Sequence, residues 1–200
     1  MLGGRREAQR DRMRARLLTA ALGLFAGQGY EATTIDQIAE QADVARQTVL
    51  NHYPHKRDFL RAWGQHRRDQ LLSIADQAGP GEPARARLHR YYAALAQMNE
   101  GERELTRMLH LSLQHDEVLA HQRPVPEAVL TAILRGQDQG EFNPYADPSL
   151  AAEVLTAVYF DTLSRWLTEA EPPFDLSGGL ADKLDLVLAG LAVPPPRKRT

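Results

Sequence analysis

Five polar side chains with hydrogen-bonding groups lie close together in the first third of the chain. Within the stretch ARQTVLNHY they are Arg46, Gln47, Thr48, Asn51 and His52. Arginine can donate two hydrogen bonds to guanine, glutamine and asparagine can pair with adenine, and the threonine methyl group can contact thymine. A helix that presented these side chains on or beside one face could therefore read base edges in the major groove of DNA.

Two short helices are predicted to position these side chains. Thr34 and Gln37 form the T-x-x-Q pattern of a capping box, which starts the first of them. After the turn ADV the second covers about 45–52, and Pro54 forces the chain out of it. Such a pair is typical of a helix-turn-helix, and an ordinary helical hairpin with solvated polar residues fits the same spacing. Apolar residues face one another across the turn and against the preceding helix: Ile35, Ile38, Ala39, Val44 and Val49.

Helical periodicity dominates the rest of the chain, and the sequence lacks the sustained alternation typical of a strand. A first helix is predicted from Arg12 to Gly29, where glycine suits a left-handed cap. Breaks rich in Gly, Pro and Asn separate the later helices. We therefore predict an all-α fold, with further helices at about 55–77, 84–99, 102–115, 124–139, 149–170 and 178–192.

The net charge of −2 hides a basic front and an acidic back. Residues 1–70 hold 12 Lys and Arg against 8 Asp and Glu, whereas residues 71–200 hold 12 against 18. A basic front suits a polyanionic partner, and a solvated basic face explains the same counts. Without cysteine the chain offers neither disulfides nor thiolate metal ligands. It has no apolar run that suits a secretion signal or a membrane span, so we expect a cytoplasmic protein with no membrane partner.

The run from Arg14 to Trp63 resembles the N-terminal domain of TetR-family transcriptional regulators. The similarity rests on LFAGQGY at the end of the first helix, on TTIDQIAEQADV, and on HYPHKRDFL at the start of the fourth helix. The later segments 136–144 and 146–167 are similar to the regulatory half of that family. The resemblance implies a helix-turn-helix domain at 10–55 and a helical ligand-binding and dimerisation domain at 56–193. Residues 194–200 form a basic tail that we expect to be disordered.

The same resemblance implies a homodimeric, ligand-responsive repressor that binds a palindromic operator. Its partners would be double-stranded operator DNA, a small-molecule effector and a second copy joined through the last two long helices. Carried over to this sequence, Thr34 and Lys56 fall on phosphate-contacting positions. The base-reading positions are Arg46, Gln47, Thr48, Asn51 and His52.

Three residues depart from the family pattern in and after the turn. Asp43 and Ala45 stand where small turn and capping residues are usual, and Leu50 replaces a common tyrosine. Ala45 cannot cap the helix with a side-chain oxygen, a loss of about 1 kcal/mol against serine, although Asp43 could accept the N–H bonds instead. These departures allow an alternative function, a small-molecule-binding protein of the same fold with weakened DNA binding.

The start of the chain is rich in arginine. These residues could form an arm along a DNA backbone or minor groove, or simply a solubilising disordered start. They are Arg5, Arg6, Arg10, Arg12, Arg14 and Arg16.

An effector pocket would lie among the later helices, lined by apolar groups with a few polar ones. Each candidate could equally be a core residue, since aromatic residues and methionine at helical spacing are usually buried. His110, His115 and His121 do not have metal-ligand spacing, so we expect no metal and no cofactor. The candidate ligand contacts are Trp63, Tyr91, Met98, Arg107, His110, Gln114, Tyr159 and Trp166.

An all-α enzyme is the remote alternative. An enzyme would need a nucleophile with its base, paired carboxylates or a phosphate-binding glycine loop. The glycine pairs lie at chain ends or breaks, and no serine has a G-x-S-x-G setting. We therefore predict that the protein is not an enzyme.

Overall fold

The computed structural model describes residues 3–76, 79, 81–115 and 126–192, with the side chains at 3–5, 76, 109 and 112–115 left out. The predicted tail at 194–200 and His121 lie outside this part of the chain. The described residues are helical, and the predicted all-α class is confirmed. The helices are α1 Gly3–Gln28, α2 Ile35–Gln41, α3 Arg46–His52, α4 Arg57–Asp76, α5 Ala84–Gly101, α6 Arg103–His115, α7 Glu127–Asp138, α8 Pro148–Leu167 and α9 Leu176–Leu191.

Helix α1 is longer than the sequence pattern predicts. It begins at Gly3 rather than at Arg12, so the interpretation of this segment as a disordered start is wrong. The extra turns contain arginine, glutamate, alanine and glutamine, which favour helix but show no apolar periodicity. At its other end α1 stops where predicted, because Gly29 has a φ of +89° and its N–H donates to the Phe25 carbonyl at 3.0 Å.

The described residues form two compact units. The first contains α1, α2, α3, α4 as far as Arg68, and α6 from Glu104. The second contains the end of α4, α5, α7, α8 and α9. The predicted domain limits of 10–55 and 56–193 stay a prediction.

An apolar core holds α3 in place in the first unit. Val49 is fully buried, and the Tyr53 ring at the end of α3 stacks on Phe59 with 4.1 Å between ring centroids. Phe59 meets Phe25 of α1 edge to face at 6.4 Å. Because α3 has only seven residues, these contacts rather than intrinsic helix stability fix its place. The buried apolar residues of this unit are Leu17, Ala21, Phe25, Ile38, Ala39, Ala42, Val49, Tyr53, Phe59, Leu60, Trp63, Leu105 and Met108.

The turn between α2 and α3 requires a left-handed residue. Asp43 has a φ of +49°, a region in which aspartate is tolerated and glycine is favoured. Its N–H donates to the Glu40 carbonyl, and the Val44 N–H donates to the Ala39 carbonyl, both at 3.0 Å. Asp43 therefore makes the turn by adopting a left-handed backbone conformation.

In the second unit, a carboxylate from the loop after α7 binds the backbone at the start of α5. Glu141 accepts hydrogen bonds from the Ala84 N–H at 2.8 Å and the Arg85 N–H at 3.2 Å, at the start of α5. Next to it, Gly136 has no room for a side chain, since a Cβ atom there would lie 2.2 Å from the Phe142 ring. These contacts hold the start of α5 against the segment that follows α7.

Candidate nucleic-acid interface and ligand cavity

The start of α2 is fixed by the predicted capping box. The Thr34 hydroxyl accepts a hydrogen bond from the Gln37 N–H at 3.2 Å, and the Gln37 side-chain oxygen accepts one from the Thr34 N–H at 2.9 Å. Gln28 donates to the same oxygen at 3.1 Å. Thr34 is exposed, so a phosphate can reach its hydroxyl at the helix start, where backbone N–H groups favour anions.

Helix α3 buries Val49 and presents an opposite polar side. Gln47 and Asn51 are exposed and joined by a hydrogen bond from Gln47 Nε2 to Asn51 Oδ1 at 3.0 Å. Arg46 is exposed too, and its Nε lies 2.9 Å from Asp36 Oδ1 of α2. An exposed ion pair of this kind contributes about 0–1 kcal/mol, so exchanging it for a base contact costs little. Thr48 is half-buried.

His52 differs from the other four predicted readers. Its ring is half-buried, and within the described part of the chain Nδ1 has no hydrogen-bond partner. Partial burial, and then the charges of Arg10 and Arg14, lower the pKa of His52 below its usual value. At neutral pH the neutral imidazole is therefore favoured, and it lies near α1 rather than on the exposed side of α3.

The N-terminus of α3 lacks the side-chain cap that the family pattern usually supplies. Ala45 makes none, and no hydrogen bond from α3 to the Asp43 carboxylate forms among the described residues. That carboxylate instead lies 3.7 Å from Arg16 NH2. The substitute cap allowed by the sequence is therefore wrong for this structure.

Lys56 is bound within the domain rather than held out to solvent. Its Nζ donates to the carbonyls of Tyr30 at 2.6 Å, Thr33 at 3.2 Å and Glu31 at 3.3 Å. It also lies 4.2 Å from the centroid of the Tyr30 ring. Since an ammonium group has three N–H donors, all are used by the loop between α1 and α2. A phosphate contact by Lys56 would require it to release one of these carbonyls.

A separate cavity of about 350 Å³ lies within the second unit. Its volume is near the lower end of the range for small-molecule sites. Its lining combines apolar side chains with two arginines, a glutamate and a threonine. These residues come from the end of α4, from α5 and from α7: Leu72, Ala75, Arg87, Leu88, Tyr91, Glu127, Ala128, Thr131, Ala132 and Arg135.

Of the predicted ligand contacts, Tyr91 alone lines this cavity in the part of the chain that is described. The two tryptophans are buried instead beneath arginines, with Arg67 at 4.7 Å from the Trp63 ring and Arg103 at 4.9 Å from the Trp166 ring. Their indoles therefore pack in the core. No sequence signal marks the other lining residues, since small apolar positions on three helices meet only after folding.

The remaining ligand candidates differ in their surroundings. Tyr159 accepts a hydrogen bond from Asn99 at 3.0 Å, and Met98 is partly buried against the same core. Arg107 is exposed and paired with Glu104 at 2.7 Å, whereas His110 is buried. Gln114 and His115 have side chains outside the described set. The candidate ligand contacts as a set stay a prediction.

Two other features are absent from the described residues. No group of three or more His, Asp or Glu side chains is placed to hold a metal ion among them. None of the helices in this part of the chain is both long and apolar enough to span a membrane.

The geometry of α2, the turn and α3 defines a helix-turn-helix DNA-binding domain. A family model described as "Bacterial regulatory proteins, tetR family" matches residues 17–63, which cover most of this domain. Residues 17–63 thus form a DNA-binding domain of the TetR family, and the chain is a DNA-binding transcriptional regulator of that type. Members of this family bind operator DNA and small-molecule effectors, act as dimers, and are regulators rather than enzymes.

Three relatives extend the similarity over nearly the whole chain. The transcriptional repressor KstR of Rhodococcus jostii is 27% identical over 184 residues, which cover 90% of this chain and 84% of KstR. The structure of Thermus thermophilus FadR with lauroyl-CoA is 26% identical at a TM-score of 0.73, covering 94% and 99% of the two chains. Bacillus subtilis FadR with stearoyl-CoA shares the fold at 20% identity and a TM-score of 0.74, covering 88% and 98%.

Replacing Gln47 tests whether the exposed side of α3 reads bases. Gln47→Ala removes one amide pairing, so we expect discrimination at one base position of each half-site to fall by about 1–3 kcal/mol. Binding to operator variants that differ at single positions measures this. Gln41→Ala, an exposed amide on α2, is the matched control. Equal effects of the two variants at every position would contradict the assignment.

Replacing Lys56 separates its structural role from a DNA contact. Lys56→Met keeps the stem over Tyr30 but removes three hydrogen bonds, so we expect the free energy of unfolding to fall by about 1–2 kcal/mol. Urea unfolding of the full chain measures this, with Arg57→Met as the control for losing a neighbouring cation. Unchanged stability together with weaker operator binding would show that Lys56 serves the phosphate alone.

Proposed function

We propose that this protein is a transcriptional repressor that binds a palindromic operator as a homodimer and releases it when an acyl thioester binds in the second unit. The main observation behind the proposal is that α3 is anchored in the core and exposes a polar side. The same chain also contains a cavity large enough for a small molecule. The repressor KstR and the two FadR structures support the same reading. Because the operator lies on the chromosome, the protein would act in the cytoplasm.

DNA reading is assigned to the residues that α2, α3 and α4 present. Arg46, Gln47, Thr48 and Asn51 would contact bases, since α3 holds them on or beside its unburied side. His52 would contribute at the edge of that surface. Thr34 and Lys56 would contact phosphates, which fix the register of the helix without reading sequence.

The homodimer is assigned to α8 and α9, the last two long helices. Each buries one side in the core of the second unit and leaves apolar side chains on another. Leu150 and Val154 of α8 are 59% and 42% exposed, and Leu186 of α9 is 76% exposed. Exposed apolar groups on neighbouring long helices favour burial against a second copy, and a two-fold pair would form a four-helix interface.

The effector is assigned to the cavity bounded by the end of α4, α5 and α7. Leu72, Ala75, Leu88, Ala128 and Ala132 give it an apolar lining that suits an acyl chain. Arg135 is exposed at its edge and suits an anionic head group. Arg87 also lines it but is within 3.9 Å of Glu82. A fatty acyl-CoA, the ligand named for both FadR structures, has this combination of parts.

Helix α4 offers a route from the cavity to the DNA-binding residues. It runs without a break from Arg57, shortly after α3, to Asp76, and its Leu72 and Ala75 line the cavity. A ligand that moved this end of α4 would change the separation of the two recognition helices in the dimer. That separation must match half-sites about 34 Å apart, so a small change weakens binding.

One observation favours the alternative of weakened DNA binding. The start of α3 has no side-chain cap, which costs about 1 kcal/mol in helix stability relative to serine. On this alternative the chain would bind its effector but select no operator. Reverting Ala45 to serine would then restore selection.

The effector proposal predicts that lauroyl-CoA releases the operator. We expect saturating lauroyl-CoA to weaken operator affinity about tenfold or more, within the usual 1–3 kcal/mol of coupling between two sites. Fluorescence anisotropy with a duplex selected from a random library measures the release, and CoA and laurate are the ligand controls. Thr131→Trp, which fills the cavity, should abolish the response while leaving DNA binding intact.

Leu134→Trp is the matched protein control, because it places the same bulky side chain on an exposed position of α7 that does not line the cavity. It should respond to lauroyl-CoA as the wild type does. If lauroyl-CoA leaves operator affinity unchanged in the wild type, or if the two tryptophan variants respond alike, the effector assignment is wrong.

A further inference from the structure

One face of α1 is buried in the core along its C-terminal half and carries a row of exposed arginines nearer the N-terminus. Leu17, Ala21 and Phe25 lie four residues apart and are fully buried in the core of the first unit. Residues three or four positions apart share a helix face, and steps of three, four and four residues back from Leu17 reach positions 14, 10 and 6. This face therefore changes from core to cationic side chains, which are Arg14, Arg10 and Arg6.

The arginine row starts beside the C-terminal end of the recognition helix. The Arg14 guanidinium lies 5.2 Å from the centroid of the Tyr53 ring, and Tyr53 directly follows the last residue of α3. The Tyr53 hydroxyl donates to the Arg14 carbonyl at 3.2 Å. Arg10 lies about one helical turn further out, or roughly 5.4 Å, and Arg6 another turn beyond that. The lowered pKa of His52 agrees with Arg10 and Arg14 being close to its ring.

Arg6, Arg10 and Arg14 make no side-chain hydrogen bond or ion pair within the described residues, unlike Arg12 and Arg16. All three are exposed, and no carboxylate of the described residues lies within ion-pair distance of them. Arg12 donates from Nε to the Ala8 carbonyl at 3.1 Å, and Arg16 pairs with Asp43 at 3.7 Å. Like charges one turn apart destabilise a helix slightly, and an external anion would relieve that repulsion.

We propose that Arg6, Arg10 and Arg14 form a basic ridge that binds DNA phosphates flanking the half-site read by α3. This inference rests on the proposed operator binding and extends the surface that performs it. Guanidinium groups suit phosphate oxygens because they can bind two at once. The ridge adds affinity and fixes register without adding base specificity, since phosphates carry no sequence information.

Salt dependence of operator binding tests the ridge. Each phosphate contact contributes about 0.9 to the slope of log affinity against log salt concentration. We expect Arg10→Gln to lower the magnitude of the slope by about 0.9, and the double variant Arg6→Gln with Arg10→Gln by about 1.8. The decrease in slope should be the same for operator and for scrambled duplex. In these variants the DNA backbone outside the half-site should no longer be protected from chemical cleavage.

Arg12→Gln is the matched control, because Arg12 is exposed on the same helix but two residues from Arg10 and so on a different face. Its slope should equal that of the wild type, and circular dichroism should show equal helix content in all variants. Equal slopes for Arg10→Gln and Arg12→Gln, with specific binding intact, would overturn the proposed ridge and leave the proposed function standing. A wild-type protein that selects no duplex would overturn both the ridge and the proposed function.

Discussion

The anchoring of α3 on the aromatic core of the first unit is the constraint on which the DNA-binding surface depends. A seven-residue helix is not stable alone, so Val49 and the Tyr53–Phe59 stack decide both that α3 forms and which way it faces. Burying Val49 leaves Gln47 and Asn51 on the opposite side. The packing of Val49 between them therefore decides that Gln47 and Asn51 are the side chains proposed to read bases.

The connections around α3 use backbone conformation and cation binding in place of the usual side-chain caps. Asp43 makes the turn by adopting a left-handed conformation, while Lys56 ties together three carbonyls of the loop before α2. The sequence alone assigns the Lys56 charge to a DNA phosphate. In the structure the Lys56 ammonium is already bound by the domain, whereas the amides of α3 and the side chains of Arg6, Arg10 and Arg14 of α1 are exposed.

Features that depend on residues close together in the sequence can be predicted from it, whereas features that depend on residues far apart in the chain cannot. The Thr34–Gln37 capping box and the Gly29 cap depend on residues within one turn, so residue types suffice to place them. The role of Lys56 depends on carbonyls more than twenty positions away, and the cavity forms only when α4, α5 and α7 pack. The start of α1 cannot be predicted from periodicity, because charged helix-forming residues leave no apolar period.

Selection of bound duplexes from a random library, followed by sequencing, tests the central claim most directly, because it asks whether α3 reads a base sequence. The account predicts enrichment of a palindrome whose half-sites lie about one helical turn, roughly 34 Å, apart. The enriched pool should bind more weakly as salt rises, as expected for phosphate contacts. A folded, dimeric protein that enriches no sequence would contradict the account and favour a ligand-binding protein that has lost its operator.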